Sequence, residues 1–208
     1  MSIKDRLASS QNRRDEEPNI ELALDIIATK DESAVAELIK LLDGNKAIQN
    51  DSIKVLYEVG VLEPQLIAPH WRVFIQSLET KNNRLQWGAM TALNQIVRLN
   101  PNEVYNHLDV IMSAVDRGSV ITRDQAVNIL IYLVAQEPYG EEAYELLREQ
   151  LLSCPTNQLP MYAERALKII DSDNKESFIQ TLESRLPDVE KESKKKRIVK
   201  VMNQVSKI

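Results

Sequence analysis

Apolar and polar positions along this chain recur every 37 residues. One column reads Leu56, Leu93, Leu130, Leu167. Four residues earlier a column of small residues reads Ser52, Ala89, Ala126, Ala163. Beside these run Val59, Ile96, Leu133, Ile170 and Val55, Ala92, Ile129, Ala166, with Leu41, Leu78, Val115, Leu152 further upstream. At 43% apolar content, a four-way apolar column arises by chance in roughly one column of thirty. Several such columns at helical offsets mark an internal repeat. Pro64, Pro101 and Pro138 keep the same register. Each is placed where a helix begins, since proline at the first helical position loses no hydrogen bond.

Each copy predicts two helices. The first runs, for example, from Pro64 to Leu78, and the second from about Asn83 to Leu99. In the second, Leu85, Ala89, Leu93 and Ile96 form one apolar stripe. The small residue in that stripe lets the paired helix approach closely. The spacing places repeats near 30–62, 63–100, 101–137 and 138–173, with a terminal cap over 174–208, all in one domain from residue 19 to 208. Asn19 to Thr29 reads as a single helix covering the first repeat, through Ile20, Ala23, Leu24 and Ile27. Residues 1–18 are polar, with Arg13-Arg14 and Asp15-Glu16-Glu17, and predict a flexible arm or, alternatively, a short docking segment.

Composition supports an all-α class. Five glycines and 8 prolines in 208 residues are sparse for a sheet protein rich in tight turns. A net charge of -5 argues against general duplex binding, where phosphate neutralisation dominates affinity. The single cysteine, Cys154, permits no intrachain disulfide and fits a reducing compartment. No apolar stretch follows the first residues, and none is long enough to cross a membrane. The expectation is therefore a cytoplasmic protein without a membrane span.

The stretch from Leu78 to Leu93 resembles the HEAT-repeat pattern. In that pattern a leucine closes the first helix, a short polar turn follows, and an apolar residue with a basic neighbour precedes Ala and Leu. The likeness covers about residues 30 to 173. It implies a right-handed α-α superhelix, a HEAT-like solenoid of about four to five helix pairs. This chain departs from the pattern at the turn, where Glu79-Thr80 replaces the usual aspartate. The usual arginine position holds Gln49, Gln86 and Arg123 in turn. Both departures weaken any Asp–Arg ladder between repeats.

The resemblance also implies that the second helices line a concave surface. Opposite Ala89 stand Trp87, Thr91, Asn94 and Arg98. The copy before contributes Asn50, Lys54, Tyr57 and Val61. The copies after contribute Asp124, Asn128 and Ile131, then Met161, Arg165 and Lys168, and Arg123 adjoins Asp124. This mixture of indole, phenol, amides and cations is the residue type found at binding hot spots. Trp87 is either solvated there or folded sideways onto a neighbouring helix. Trp71, in line with Ile75 and Leu78, reads as core or inter-repeat packing.

No catalytic constellation emerges. His70 and His107 share a repeat position and read as surface or interface residues rather than metal ligands. Cys154, next to Pro155 near a helix end, lacks a positioned base and predicts partial exposure at most. No cofactor is expected. The terminal stretch carries Ile198, Val201, Met202, Val205 and Ile208 on one face. Its other face carries Lys191, Lys194, Lys195, Lys196, Arg197, Lys200 and Lys207. It reads as a charged cap, or as a basic helix for a membrane surface or an acidic partner. The leading expectation is a non-catalytic scaffold that binds a protein or peptide. The alternative is an enzyme resembling the HEAT-like alkylpurine DNA glycosylases, or another nucleic-acid binder, using Asp124 with Trp87 and Arg123.

Overall fold

A computed structural model describes residues 2–208. It is all-helical, with no strand among the described residues. The chain divides into two compact units, residues 1–126 and 127–208. The first contains α1 (Glu17–Thr29), α2 (Glu32–Leu41), α3 (Lys46–Leu62), α4 (Pro64–Ile67), α5 (Trp71–Ser77), α6 (Asn83–Ile96), α7 (Pro101–Tyr105) and α8 (Leu108–Arg117). The boundary falls inside α9 (Val120–Val134). The second unit continues with α10 (Gly140–Ser153), α11 (Leu159–Ala166), α12 (Lys175–Arg185) and α13 (Glu192–Val205).

Local chemistry sets the helix ends. Asp31 accepts a hydrogen bond from the Ala34 amide, and Asn45 from those of Ala47 and Ile48. Each satisfies amides that the first turn of α2 or α3 leaves unpaired. Pro64 and Pro101 stand first in α4 and α7, as their spacing predicts. Pro138 does not begin a helix. It lies in a turn closed by the Tyr139 amide on the Gln136 carbonyl, and α10 starts only at Gly140.

The helix predicted over Pro64–Leu78 is broken into α4, a 3-10 turn at Ala68–His70, and α5. Pro69 supplies no amide to an α-helical ladder and crowds the preceding turn. The next copy breaks between α7 and α8, where the His107 ring nitrogen Nδ1 pairs with the Glu103 carbonyl at 2.7 Å. The repeat histidines thus sit at the breaks. Trp71 packs edge-on against His107, with ring centroids 5.4 Å apart. The Arg72 guanidinium lies 4.4 Å from the indole centre.

The repeat columns form the interior of each unit. In the first, Ser52, Val55, Leu56 and Val59 of α3 and Ala89, Ala92, Leu93 and Ile96 of α6 are buried. In the second, Ile129, Leu130, Leu133, Ala163 and Ala166 are buried likewise. The columns fray at their ends. Leu41 and Leu167 are half-buried, and Leu152 is 44% exposed. In α10 the inward position passes to Leu151. The Arg185 guanidinium binds the carbonyls of Leu151, Leu152 and Cys154 and so caps this helix end. Cys154 is buried there rather than partly exposed, and its thiol reaches the Leu151 carbonyl. In the final helix, Ile198, Val201 and Val205 point inward, while Ile208 lies outside it and is exposed.

Residues 2–16 do not stand off as an arm. They form two 3-10 turns, Lys4–Arg6 and Ser9–Gln11, and bury Leu7 and Ala8. Asp51 of α3 accepts from the Ser9 amide at 2.8 Å and from Asn19 Nδ2 at 2.9 Å. Asn19 in turn accepts from the Ala8 amide at 3.0 Å. Two buried apolar side chains and this linked set of hydrogen bonds overcome the polarity that predicts an arm.

The small-residue seam between α3 and α6 makes two opposite predictions. A Cβ at Gly88 would lie 2.6 Å from Cγ1 and 3.1 Å from Cγ2 of Ile53. That neighbour is β-branched and stiff. Overpacking costs about 1–3 kcal/mol and the gain in helix propensity returns about 1, so Gly88→Ala should lose about 1 kcal/mol net. Ser52 is fully buried and its hydroxyl finds no hydrogen-bond partner in the chain. Ser52→Ala removes an unsatisfied group at constant shape and should gain about 1 kcal/mol. Urea unfolding of both variants measures the two signs.

Candidate partner-binding face

In the first unit, α3 and α6 bring an aromatic pair and three charged residues together. Tyr57 and Trp87 stack with centroids 5.6 Å apart and planes tilted by 45°. Lys54 Nζ stands 5.0 Å from the Tyr57 ring centre, and the Arg84 guanidinium 5.9 Å from that of Trp87. Both distances lie within the reach of cation–π attraction. Both rings are half-buried. Trp87 therefore leans sideways onto α3 while keeping an open edge.

Glu16, just before α1, completes the cluster. Its carboxylate pairs with Arg84 and, at 3.3 Å, with Lys54. Lys54 also pairs with Glu58 one turn along α3. Burial opposes the charged form of Lys54, but its interactions with Glu58 and Tyr57 together outweigh this, and its pKa lies above the ordinary lysine value. Burial pushes the Tyr57 hydroxyl up, with the Lys54 charge offsetting part of the shift. Partial burial also works to raise the Glu16 pKa. Arg84 and Lys54 outweigh it, and the carboxyl is held below its ordinary 4.5.

The other residues predicted for this face divide by position. Asn50 accepts from Asn82 Nδ2 at 2.9 Å, and Asn82 also donates to Gln49 at 3.0 Å. Thr91 bonds back to the Trp87 carbonyl, and Asn94 donates to Gln125 at 2.7 Å. Arg98 is exposed, while Arg123 and Asp124 are half-buried. Within the second unit, Arg165 donates to Asn128 at 3.2 Å and Lys168 is exposed. Ile131 is buried in the core and offers nothing to a partner.

Sequence reasoning missed Glu16, Glu58, Arg84 and Asn82. Arg84 sits three residues before Trp87, on the same side of α6, which was a usable signal. Glu16 carried none, because its role depends on how residues 2–16 fold back. Gln49 and Gln86 occupy the position of the expected arginine ladder. Each instead donates to a carbonyl closing the preceding helix, Leu42 at 2.9 Å and Leu78 at 3.0 Å. Their task is to fix the turn within a helix pair.

The Glu16 pairs carry a pH signature. A carboxyl whose pKa is lowered by folding stabilises the fold above its unfolded value and loses that contribution as pH falls through the folded value. Half-open pairs of this kind contribute at most about 1 kcal/mol. Glu16→Gln should therefore be less stable than the parent by up to about that amount near neutral pH. The difference should vanish in acid, below the depressed Glu16 pKa. Urea midpoints of both proteins across this range provide the check.

No protein-family model and no curated protein matches the chain. Among solved structures it is similar to two engineered proteins whose crystal structures come from the Northeast Structural Genomics Consortium. One has a TM-score of 0.62 and 17% identity, with 100% of both chains covered. The other has a TM-score of 0.59 and 18% identity, covering 100% of this chain and 98% of that one. At such identity the likeness is one of fold alone.

Proposed function

We infer that the chain is a HEAT-like α-solenoid acting as a non-catalytic scaffold, and that its α3–α6 face binds a protein segment bearing a carboxylate. The 37-residue repeat and its paired helices support the solenoid reading, since stacked repeats keep a constant core while their exposed side chains vary. The binding reading is carried by Glu16. The chain's own carboxylate seats between Lys54 and Arg84 beside the Tyr57–Trp87 stack. A partner's acidic side chain would meet the same two cations and the same aromatic edge. Aromatic and arginine anchors of this kind dominate binding energy, and the charges supply salt dependence.

Affinity capture from native lysate, at low and at high salt, tests this. A partner held by the parent should be lost from Trp87→Ala and from Arg84→Glu, and weakened for the parent at high salt. Glu16→Ala releases Arg84 and leaves Lys54 paired with Glu58 alone, and should strengthen capture. Circular dichroism of each variant separates lost binding from lost folding. Retention of every captured protein by both face variants would sink the siting. Recovery of nucleic acid instead would overturn the protein-scaffold reading.

A further inference from the structure

Two surfaces far apart in sequence have complementary chemistry. The first is the outer side of α1. Leu22, Ala23 and Ile26 turn inward and are buried, whereas Ile20 is 41% and Leu24 53% exposed. These two lie one helical turn apart and form a single apolar strip. Glu21 borders it and makes no ion pair among the described residues, while Glu17 and Asp25 add further carboxylates paired only at exposed sites. From residue 15 to 43 the chain carries 9 acidic and 2 basic residues.

The second surface is a groove of about 850 Å³ between α12 and α13. Leu186, Pro187 and Val199 give it an apolar floor, and Val199 is 41% exposed. Four lysines line it against two glutamates. Lys196 and Lys207 make no ion pair among the described residues, and the nearby Arg197 is engaged by Glu164. From residue 189 to 208 the chain carries 7 basic and 2 acidic residues. A cap needs only a polar outer face. Lys195 pairs with Glu192 at 3.4 Å, yet a solvent-open apolar floor with an excess of lysines around it, Lys196 and Lys207 among them without such a pair, exceeds that need.

We propose that the α12–α13 groove of one molecule receives the α1 outer face of a second copy of this chain. The groove calls for a helix with an apolar pair one turn apart and an acidic border. α1 is such a helix, and it is displayed by the same molecule. Ile20 and Leu24 enter against Val199 and Leu186, while Glu21 and its neighbours meet Lys196 and Lys200. This is helix-in-groove recognition through two different patches, a heterologous contact. One helix in one groove falls at the small end of interface sizes, so association is weak, concentration-dependent and salt-sensitive.

Sedimentation velocity on the full chain, from ~10 to ~500 μM, a range suited to small interfaces, tests this at low and high salt. The parent should associate with rising concentration and dissociate with added salt. Leu24→Lys destroys only the helix patch and Val199→Glu only the groove. Each variant alone should stay monomeric. Mixed one to one they should form a dimer and nothing larger, because one retains the groove and the other retains α1. Both positions are exposed, and circular dichroism verifies that the variants fold. A parent that stays monomeric throughout, or a mixture that fails to dimerise, overturns the proposal. Association that survives in either variant alone overturns it too. A monomeric parent that cosediments with phosphatidylserine vesicles would assign the groove to anionic lipid instead. This test is independent of the α3–α6 face, so either reading can fail without the other.

Discussion

The first unit depends on the close approach of α6 to α3. Ser52 and Ala89 place small side chains at the seam, and Gly88 lets the α6 backbone meet Ile53 directly. Two helices that near each other bury Val55, Leu56, Ala92 and Leu93 completely. Apolar burial is the dominant favourable term in folding, and it requires this density of packing. A larger residue at the seam would push the helices apart, and each neighbouring contact would loosen with it.

The charged and aromatic cluster follows from the same contact. With α3 and α6 held close, Tyr57 reaches Trp87 and the two cations flank the pair. Lys54 is buried, which would be costly without partners. Glu58 and Glu16 supply them. Residues 2–16 extend this logic. Asp51 holds Ser9 and Asn19, Leu7 and Ala8 fill the space beside them, and Glu16 is thereby delivered to the cations. A segment with too little apolar content to form a core of its own gains order by adding to an existing one.

Side-chain contacts between neighbouring helices do not follow the sequence period in the first unit. Gln49 meets Asn82, 33 residues on, Asn94 meets Gln125, 31 residues on, and Tyr57 meets Trp87. In the second unit Asn128 meets Arg165 at the full 37, but Tyr144 meets Ser177 and Glu164 meets Arg197 at 33. Equivalent positions share an environment, but which residues touch depends on how the helix axes cross. This is why Tyr57, Trp87 and Lys54 were legible in the sequence as members of the face while Arg84, Glu16 and Glu58 were not. Lys54 and Ile131 show the same limit from the other side. Both were placed on the exposed face by helical angle alone, and both are buried once their neighbours are in place.

The sequence by itself determined the helical class, the paired elements and most of the core, because periodic burial of apolar side chains is written into residue order. Ser52, Ala89, Ala126 and Ala163 could be identified as a seam from spacing alone, and all four are buried. The tertiary structure decided where that order breaks. Pro69 splits a predicted helix, Leu151 displaces Leu152 from the interior, and Pro138 stays in a turn. It also decided that the polar first residues dock and that Glu16 lies between two cations. Those outcomes rest on contacts between residues 42 or 68 positions apart, such as Ser9 with Asp51 and Glu16 with Arg84. No local periodicity encodes them, since their free energy exists only after the intervening chain has folded.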